Sequence, residues 1–116
     1  MARMCVLGGG LVGRFVASTL HTRGHVVRLV DAESILDVSS EIEVIQSQIN
    51  ASNLVDYVSD VDVVINCLPG RIGHSIRENL VSINGMRVAD LAFTAEDPRS
   101  LDQLAKTNHA SLIYDV

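Results

Sequence analysis

Aromatic side chains are nearly missing from this chain: 116 residues hold two Tyr, two Phe and no Trp. A 47% hydrophobic content must therefore come from Val, Ile, Leu and Ala. That aliphatic mixture argues against an aromatic-rich sandwich and suits parallel strands covered by helices. Positive charge is also scarce. The formal net charge is −5, no run of Lys and Arg offsets it, and Arg71 and Arg77 stand apart. A phosphate backbone is repelled on average, so no nucleic-acid partner is expected. No apolar stretch reaches the roughly 18 residues of a membrane span. A strand-like run starts at once at the N-terminus, so neither a membrane partner nor a signal peptide is expected. Cysteine occurs twice. Cys5 and Cys67 fall in runs that read as central strands, where small core thiols are expected rather than a disulfide. These absences predict a soluble, cytoplasmic chain with one domain over residues 1–116.

What is present alternates. Arg3-Met4-Cys5-Val6-Leu7 reads as a first strand stopped by Gly8-Gly9-Gly10. Leu11, Val12, Phe15, Val16 and Leu20 then fall on one face of a helix, which Gly24 ends. His25 to Asp31 reads as strand two and Ile42 to Ile45 as strand three. Ile35-Leu36 predicts a short helical turn, and Leu54 to Val58 belongs to a helix begun near Asn50 or Ser52. Val61 to Leu68 is a strong central strand ended by Pro69-Gly70. A helix from about Gly73 to Ile83 is expected to bury Ile72, Ile76, Leu80 and Ile83. Arg87 to Leu91 reads as strand five. Asp97-Pro98 opens another helix, carrying Leu101, Leu104 and Ala105 inward. Ser111 to Val116 reads as strand six. With right-handed crossovers this predicts an α/β, Rossmann-type, doubly wound parallel sheet of about six strands in order 3-2-1-4-5-6, with helices on both faces. The chain stops on an apolar strand, so a longer protein with a second, catalytic domain is expected.

Gly8-Gly9-Gly10-Leu11-Val12-Gly13 matches G-x-G-x-x-G between a strand and a helix. Gly8 permits the tight turn out of the strand, Gly10 removes a side chain that would block a pyrophosphate, and Gly13 lets the helix press against the strand. The pyrophosphate then meets free N–H groups where the helix dipole favours an anion. Asp31 ends strand two at nearly the spacing expected of the acid that takes the adenosine ribose hydroxyls. A 2′-phosphate there faces a like charge at about 4 Å, a repulsion on the order of a few kcal/mol. No basic residue follows, since the chain continues Ala32-Glu33-Ser34, and Arg14 and Arg28 are the only nearby basic candidates. NAD is therefore the expected cofactor, with NADP disfavoured, and Asp31 and Ala32 belong to the expected site.

In the strand order above, the ends of strands one and four flank the ligand crevice. Cys67, Leu68, Pro69 and Gly70 are thus expected opposite the glycine loop, with Leu68 and Pro69 packing on the ribose or nicotinamide side. Asp90, at the end of strand five, could reach a nicotinamide ribose or cap the segment after it. His74 lies near a helix start. His21, His25 and His109 have no partner at metal-ligand spacing. No residue is assigned to catalysis and none to a metal.

Three stretches together resemble the N-terminal NAD(P)-binding domain of the saccharopine dehydrogenase and lysine 6-dehydrogenase family: Cys5 to Gly13, Asp62 to Gly70 (DVVINCLPG), and Ala89 to Asp97 (ADLAFTAED). The resemblance spans nearly the whole chain, and the second and third stretches are more specific than the first. It implies NAD(P)-linked oxidation at a carbon–nitrogen bond of an amino acid, with the small-molecule substrate held by a second domain. Family members often carry an acid after strand three, near the adenine. This chain has Gln48-Ile49 instead, which leaves Ile49 to offer an apolar face.

Two other classes share the glycine loop and the strand-two acid. One is a regulatory nucleotide-sensing module, like those that gate potassium channels and transporters. The other is a partner subunit that keeps the fold and has lost the ligand. Leu68-Pro69-Gly70 followed by strand five and Phe93-Thr94-Ala95-Glu96-Asp97 favours the dehydrogenase pattern. The chain by itself is expected to bind cofactor without turnover. The oligomeric state, a homodimer included, is left open.

Overall fold

Every strand carries apolar side chains at consecutive positions, which only a sheet covered on both faces can bury. The computed structural model describes residues 1–35, 37–81, 83 and 87–90, and they form such a sheet. Five parallel strands, β1 (Arg3–Leu7), β2 (Val26–Asp31), β3 (Glu43–Gln46), β4 (Val63–Asn66) and β5 (Arg87–Asp90), lie in the order β3-β2-β1-β4-β5. Three helices connect them: α1 (Leu11–Thr22), α2 (Leu54–Val58) and α3 (Gly70–Val81). The order agrees with the first five strands expected. Strand six and the helix at Asp97-Pro98 lie outside the described residues.

The pleat divides the core in two. Cys5, Leu7, Val30, Val64 and Val88 face α2 and α3, where Leu54, Val58, Ile76 and Leu80 meet them. Val6, Val27, Leu29, Ile65 and Ala89 face the other way, against Val16, Ala17 and Leu20 of α1. Strand parity therefore fixes which face each polar side chain reaches. Asp31 shares a face with Val27 and Leu29, toward α1. Arg28, Asn66 and Asp90 share the α2 and α3 side. Cys5 is fully buried, Cys67 is half-buried, and both thiols are free.

The buried face of α1 differs from expectation. Gly13, Val16, Ala17 and Leu20 face the sheet, whereas Leu11, Val12 and Phe15 are 79%, 57% and 70% exposed. The helix seats through the position that has no side chain, and this rotates the contact stripe away from Leu11, Val12 and Phe15. At its C-terminus, Gly24 (φ +91°) donates to the His21 carbonyl at 2.9 Å and His25 to the Leu20 carbonyl at 3.2 Å. This is the glycine-ended turn expected there.

Two strands, β2 and β4, are shorter than their apolar runs, and β3 is shifted by one residue. β2 starts at Val26 and β3 at Glu43, with Ile42 buried just before it. β4 covers only Val63–Asn66, although the Cys67 amide still donates to the Leu7 carbonyl of β1 at 2.8 Å. α2 starts at Leu54, after a turn in which the Asn50 side chain accepts from the Ser52 and Asn53 amides. α3 starts at Gly70, three residues earlier than expected, with the Gly73 amide donating to the Pro69 carbonyl at 3.1 Å. The phase is the expected one, with Ile76 and Leu80 buried and Ile83 packed on the core, but Ile72, in the added first turn, is 56% exposed and lines the cleft. Ile35 is not helical, and Leu36 lies outside the described residues. No helix among the described residues is long and apolar enough to cross a membrane.

Candidate functional site

Where the chain leaves β1 and β4 in opposite directions, the carboxyl ends of the strands open into a crevice, the usual ligand position in a doubly wound sheet. Here it is a cleft of about 530 Å³, within the rough 300–1,000 Å³ range of small-molecule sites. One wall is the glycine loop and the start of α1: Gly8, Gly10, Leu11, Val12 and Gly13. Asp31, Ala32 and Glu33 close one end, with Gln48 and Ile49 beside them. Cys67, Leu68, Pro69 and Ile72 form the opposite wall.

The glycines differ in what they do. Gly8 turns with φ +101°, and a Cβ there would also meet the Cys67 carbonyl group at 2.9 Å. At Gly13 a Cβ would lie 1.7 Å from the Gly8 carbonyl oxygen, so helix and loop touch only because that atom is missing. Gly10 is the opposite case. Its backbone is ordinary (φ −69°, ψ −168°), and a Cβ would meet no protein atom within 4 Å. That space is open, and Gly10 is one of the residues that line the cleft. Gly10 is the N-cap of α1, and no side chain caps the helix there. The first-turn amides of a twelve-residue helix thus face the cleft, where an anion is favoured.

Gly9 was not singled out from the sequence, yet it locks the loop. Its amide donates to Asp31 Oδ2 at 2.5 Å. A Cβ on it would meet the Ile35 side chain at 2.7 Å. The other Asp31 oxygen accepts from the Glu33 amide at 3.2 Å. The carboxylate therefore points into the loop at the edge of the cleft, as its strand parity requires.

Of the other expected residues, Ala32, Ile49, Cys67, Leu68 and Pro69 all line the cleft. Gly70 does not: it is the first residue of α3, and Ile72 takes the place next to Pro69. Glu33, Gln48 and Ile72 are lining residues that were not expected. The early start of α3 explains Ile72, and chain continuity past Asp31 and next to Ile49 explains the other two. Neither basic candidate lines the cleft. Arg28 reaches the far side of the sheet, donating to Asp60 at 2.7 and 2.9 Å, to Glu43 at 2.5 Å and to the Tyr57 carbonyl at 2.7 Å. Those bonds, to Asp60 first and then Glu43, raise the Arg28 pKa and hold Asp60 below the usual carboxylate range. Arg14 lies near the Gly10 carbonyl, at 3.4 Å, and near Asp37, at 3.9 Å.

Burial pushes the Cys67 thiol up to about 12, with the charge of Asp90 adding to it. At neutral pH this is an uncharged, weakly polar surface and not a nucleophile. Asp90 turns away from the cleft. Its carboxylate meets Arg77 Nη1 and Asn66 Nδ2, each at 3.4 Å, and all three side chains are buried. Asp90 does not line the cleft, and the segment it was expected to cap lies outside the described residues. His74 contacts Arg77 and lies 3.5 Å from Glu78.

No protein-family model matches the chain, and no curated protein matches it. Solved structures do. A UDP-N-acetylglucosamine 4-epimerase from Bacillus cereus is 18% identical with a TM-score of 0.58, over 77% of this chain and 38% of that one. A uronate dehydrogenase mutant from Agrobacterium tumefaciens, complexed with NAD, is 19% identical with a TM-score of 0.59, over 76% and 39%. A D-isomer specific 2-hydroxyacid dehydrogenase family protein from Klebsiella pneumoniae 342 is 15% identical with a TM-score of 0.58, over 87% and 34%. The matched part is thus little more than a third of each of those chains. At these identities the likeness is one of fold, and the fold is the Rossmann-type α/β arrangement expected from the sequence.

Proposed function

We propose that this chain is the NAD-binding domain of an oxidoreductase that acts at a carbon–nitrogen bond of an amino acid, the substrate being held by a further domain. The observation that carries the cofactor reading is the uncapped first turn of α1, which opens at Gly10 onto a cleft that no protein atom fills. The loop and the α1 amides would hold the pyrophosphate, Asp31 the adenosine ribose, and Ile49 one face of the adenine. Leu68, Pro69 and Ile72 would shelter the nicotinamide half from water. A 2′-phosphate beside Asp31 would meet two carboxylates, Asp31 and Glu33, and neither Arg14 nor Arg28 lines the cleft, which supports NAD over NADP. The Agrobacterium neighbour, a uronate dehydrogenase complexed with NAD, supports the cofactor. The carbon–nitrogen specificity rests on the resemblance of Asp62 to Gly70 and Ala89 to Asp97 to the saccharopine and lysine 6-dehydrogenases.

A bound nicotinamide would accept a hydride from the carbon bearing nitrogen, leaving an imine for water to hydrolyse. What this chain contributes is binding, orientation and a dry wall.

Thermal-shift titration with NAD, NADP and ADP tests the cofactor reading. At a hundredfold excess over Kd, NAD is expected to stabilise the chain by about 2.7 kcal/mol, with NADP giving less at the same concentration. Asp31→Ala is expected to narrow that gap. Equal shifts from NAD and NADP would contradict the assigned role of Asp31. For the reaction, the longer protein carrying this domain is expected to reduce NAD with an amino acid as donor. Turnover with hydroxyl donors alone would remove the carbon–nitrogen assignment and leave the cofactor site intact.

A further inference from the structure

Beneath the wall opposite the glycine loop lies a polar cluster that binding, as described so far, does not use. Asn66, the last residue of β4, is fully buried. Its Oδ1 accepts from the Leu68 amide at 3.3 Å, while Nδ2 donates to the Gly73 carbonyl at 2.9 Å and to Asp90 Oδ1 at 3.4 Å. One side chain thus ties together the segment that lines the cleft, the first turn of α3 and the end of β5. The other Asp90 oxygen accepts from Arg77, one turn further along α3. Arg77 is 3% exposed and Asp90 5%. Such groups are costly to bury, and an apolar core of the same shape is often as stable. Stability alone therefore does not account for them, and the chain Arg77–Asp90–Asn66 ends on the Leu68 amide in the wall of the cleft.

We propose that Asn66, Arg77 and Asp90 form a buried clamp that positions the Leu68-Pro69 wall for the nicotinamide half of the dinucleotide. These are positioning residues, since none of them lines the cleft. The proposal rests on the cofactor reading above. It assigns the clamp to one half of the ligand only: the adenosine half is held by Asp31 and the glycine loop, across the cleft.

The test compares NAD with ADP on the full chain by calorimetry, in the wild type and in three variants. Asn66→Ala cuts the tie to the Leu68 amide. The double variant Arg77→Met/Asp90→Leu removes the ion pair without leaving a lone buried charge, which keeps it foldable if Asn66→Ala is not. NAD affinity is expected to fall roughly tenfold in both, the size of one lost buried hydrogen bond that positions a binding surface. ADP affinity is expected to stay within about twofold in each, and Arg77→Lys, which keeps a cation beside Asp90, to retain most of the NAD affinity. A purely structural role would move NAD and ADP together or leave both unchanged, and either result overturns the clamp. A wild-type chain that binds neither ligand overturns the cofactor reading instead, and the clamp's ligand role with it.

Discussion

Gly10 and Gly13 lie three residues apart in one motif and answer to different constraints. Gly13→Ala forces a Cβ to within 1.7 Å of the Gly8 carbonyl oxygen, and backbone cannot yield as a side-chain tip can. We expect it to cost about 3 kcal/mol, read as a lowered denaturation midpoint. Gly10→Ala adds a methyl group in open space, on a backbone that any residue adopts. It is expected to leave stability within about 0.5 kcal/mol while weakening NAD at least tenfold, because the methyl group occupies the cleft. A Gly10→Ala protein that binds NAD normally would show that the ligand does not approach this loop. Cys67 gives a second residue-scale prediction. With its thiol pushed up to about 12, alkylation by iodoacetamide at pH 8 is expected to be at least about a hundredfold slower than in the denatured chain. Labelling at the denatured rate would contradict its burial beside Asp90. The glycine motif and Asp31 were legible in the sequence because local backbone chemistry decides them. Gly9 was not: its need for a missing Cβ comes from Ile35, placed against it by the path of the chain after β2.

At the scale of the elements, what could be read was the alternation of strands and helices and the parity of each strand. What could not be read was the phase of α1 and the start of α3. α1 turns its Gly13 side to the sheet, exposing Leu11, Val12 and Phe15, and α3 starts at Gly70 and so presents Ile72 to the cleft. Both outcomes depend on contact with a partner element, which apolar spacing alone does not encode. The Asn66–Asp90–Arg77 cluster was hidden for the same reason, since it needs the β4–β5 register (Asn66↔Asp90) and the placement of α3 together. Arg28 makes a comparable tie at the other end of the sheet, joining β2, β3 and the end of α2. Because Asp60 titrates below its ordinary value in the folded chain, its contribution is fully present above the unfolded-state carboxylate pKa and is lost as pH falls through the folded one. Asp60→Asn is therefore expected to flatten the acid limb of the stability–pH curve measured by urea unfolding. An unchanged acid limb would mean that the Arg28–Asp60 pair contributes nothing in solution, as many exposed pairs do not.

For the molecule as a whole, the account comes to one arrangement. A parallel sheet reverses its winding between β1 and β4, and the crevice so formed has amides on one wall, a carboxylate at one end and an apolar wall held from behind. The fold and most of the lining were readable before any coordinates, because a doubly wound order places the ends of β1 and β4 together whatever the side chains. The central claim is that a dinucleotide lies across that crevice, and amide chemical-shift mapping of the ¹⁵N-labelled chain during titration with NAD tests it most directly. The account predicts shifts concentrated at Gly9, Gly10, Leu11, Val12 and Gly13, with a second group at Asp31 and Ala32 and a third at Cys67 and Leu68. Saturating NAD that leaves the amides of Gly10 to Gly13 unmoved would contradict it.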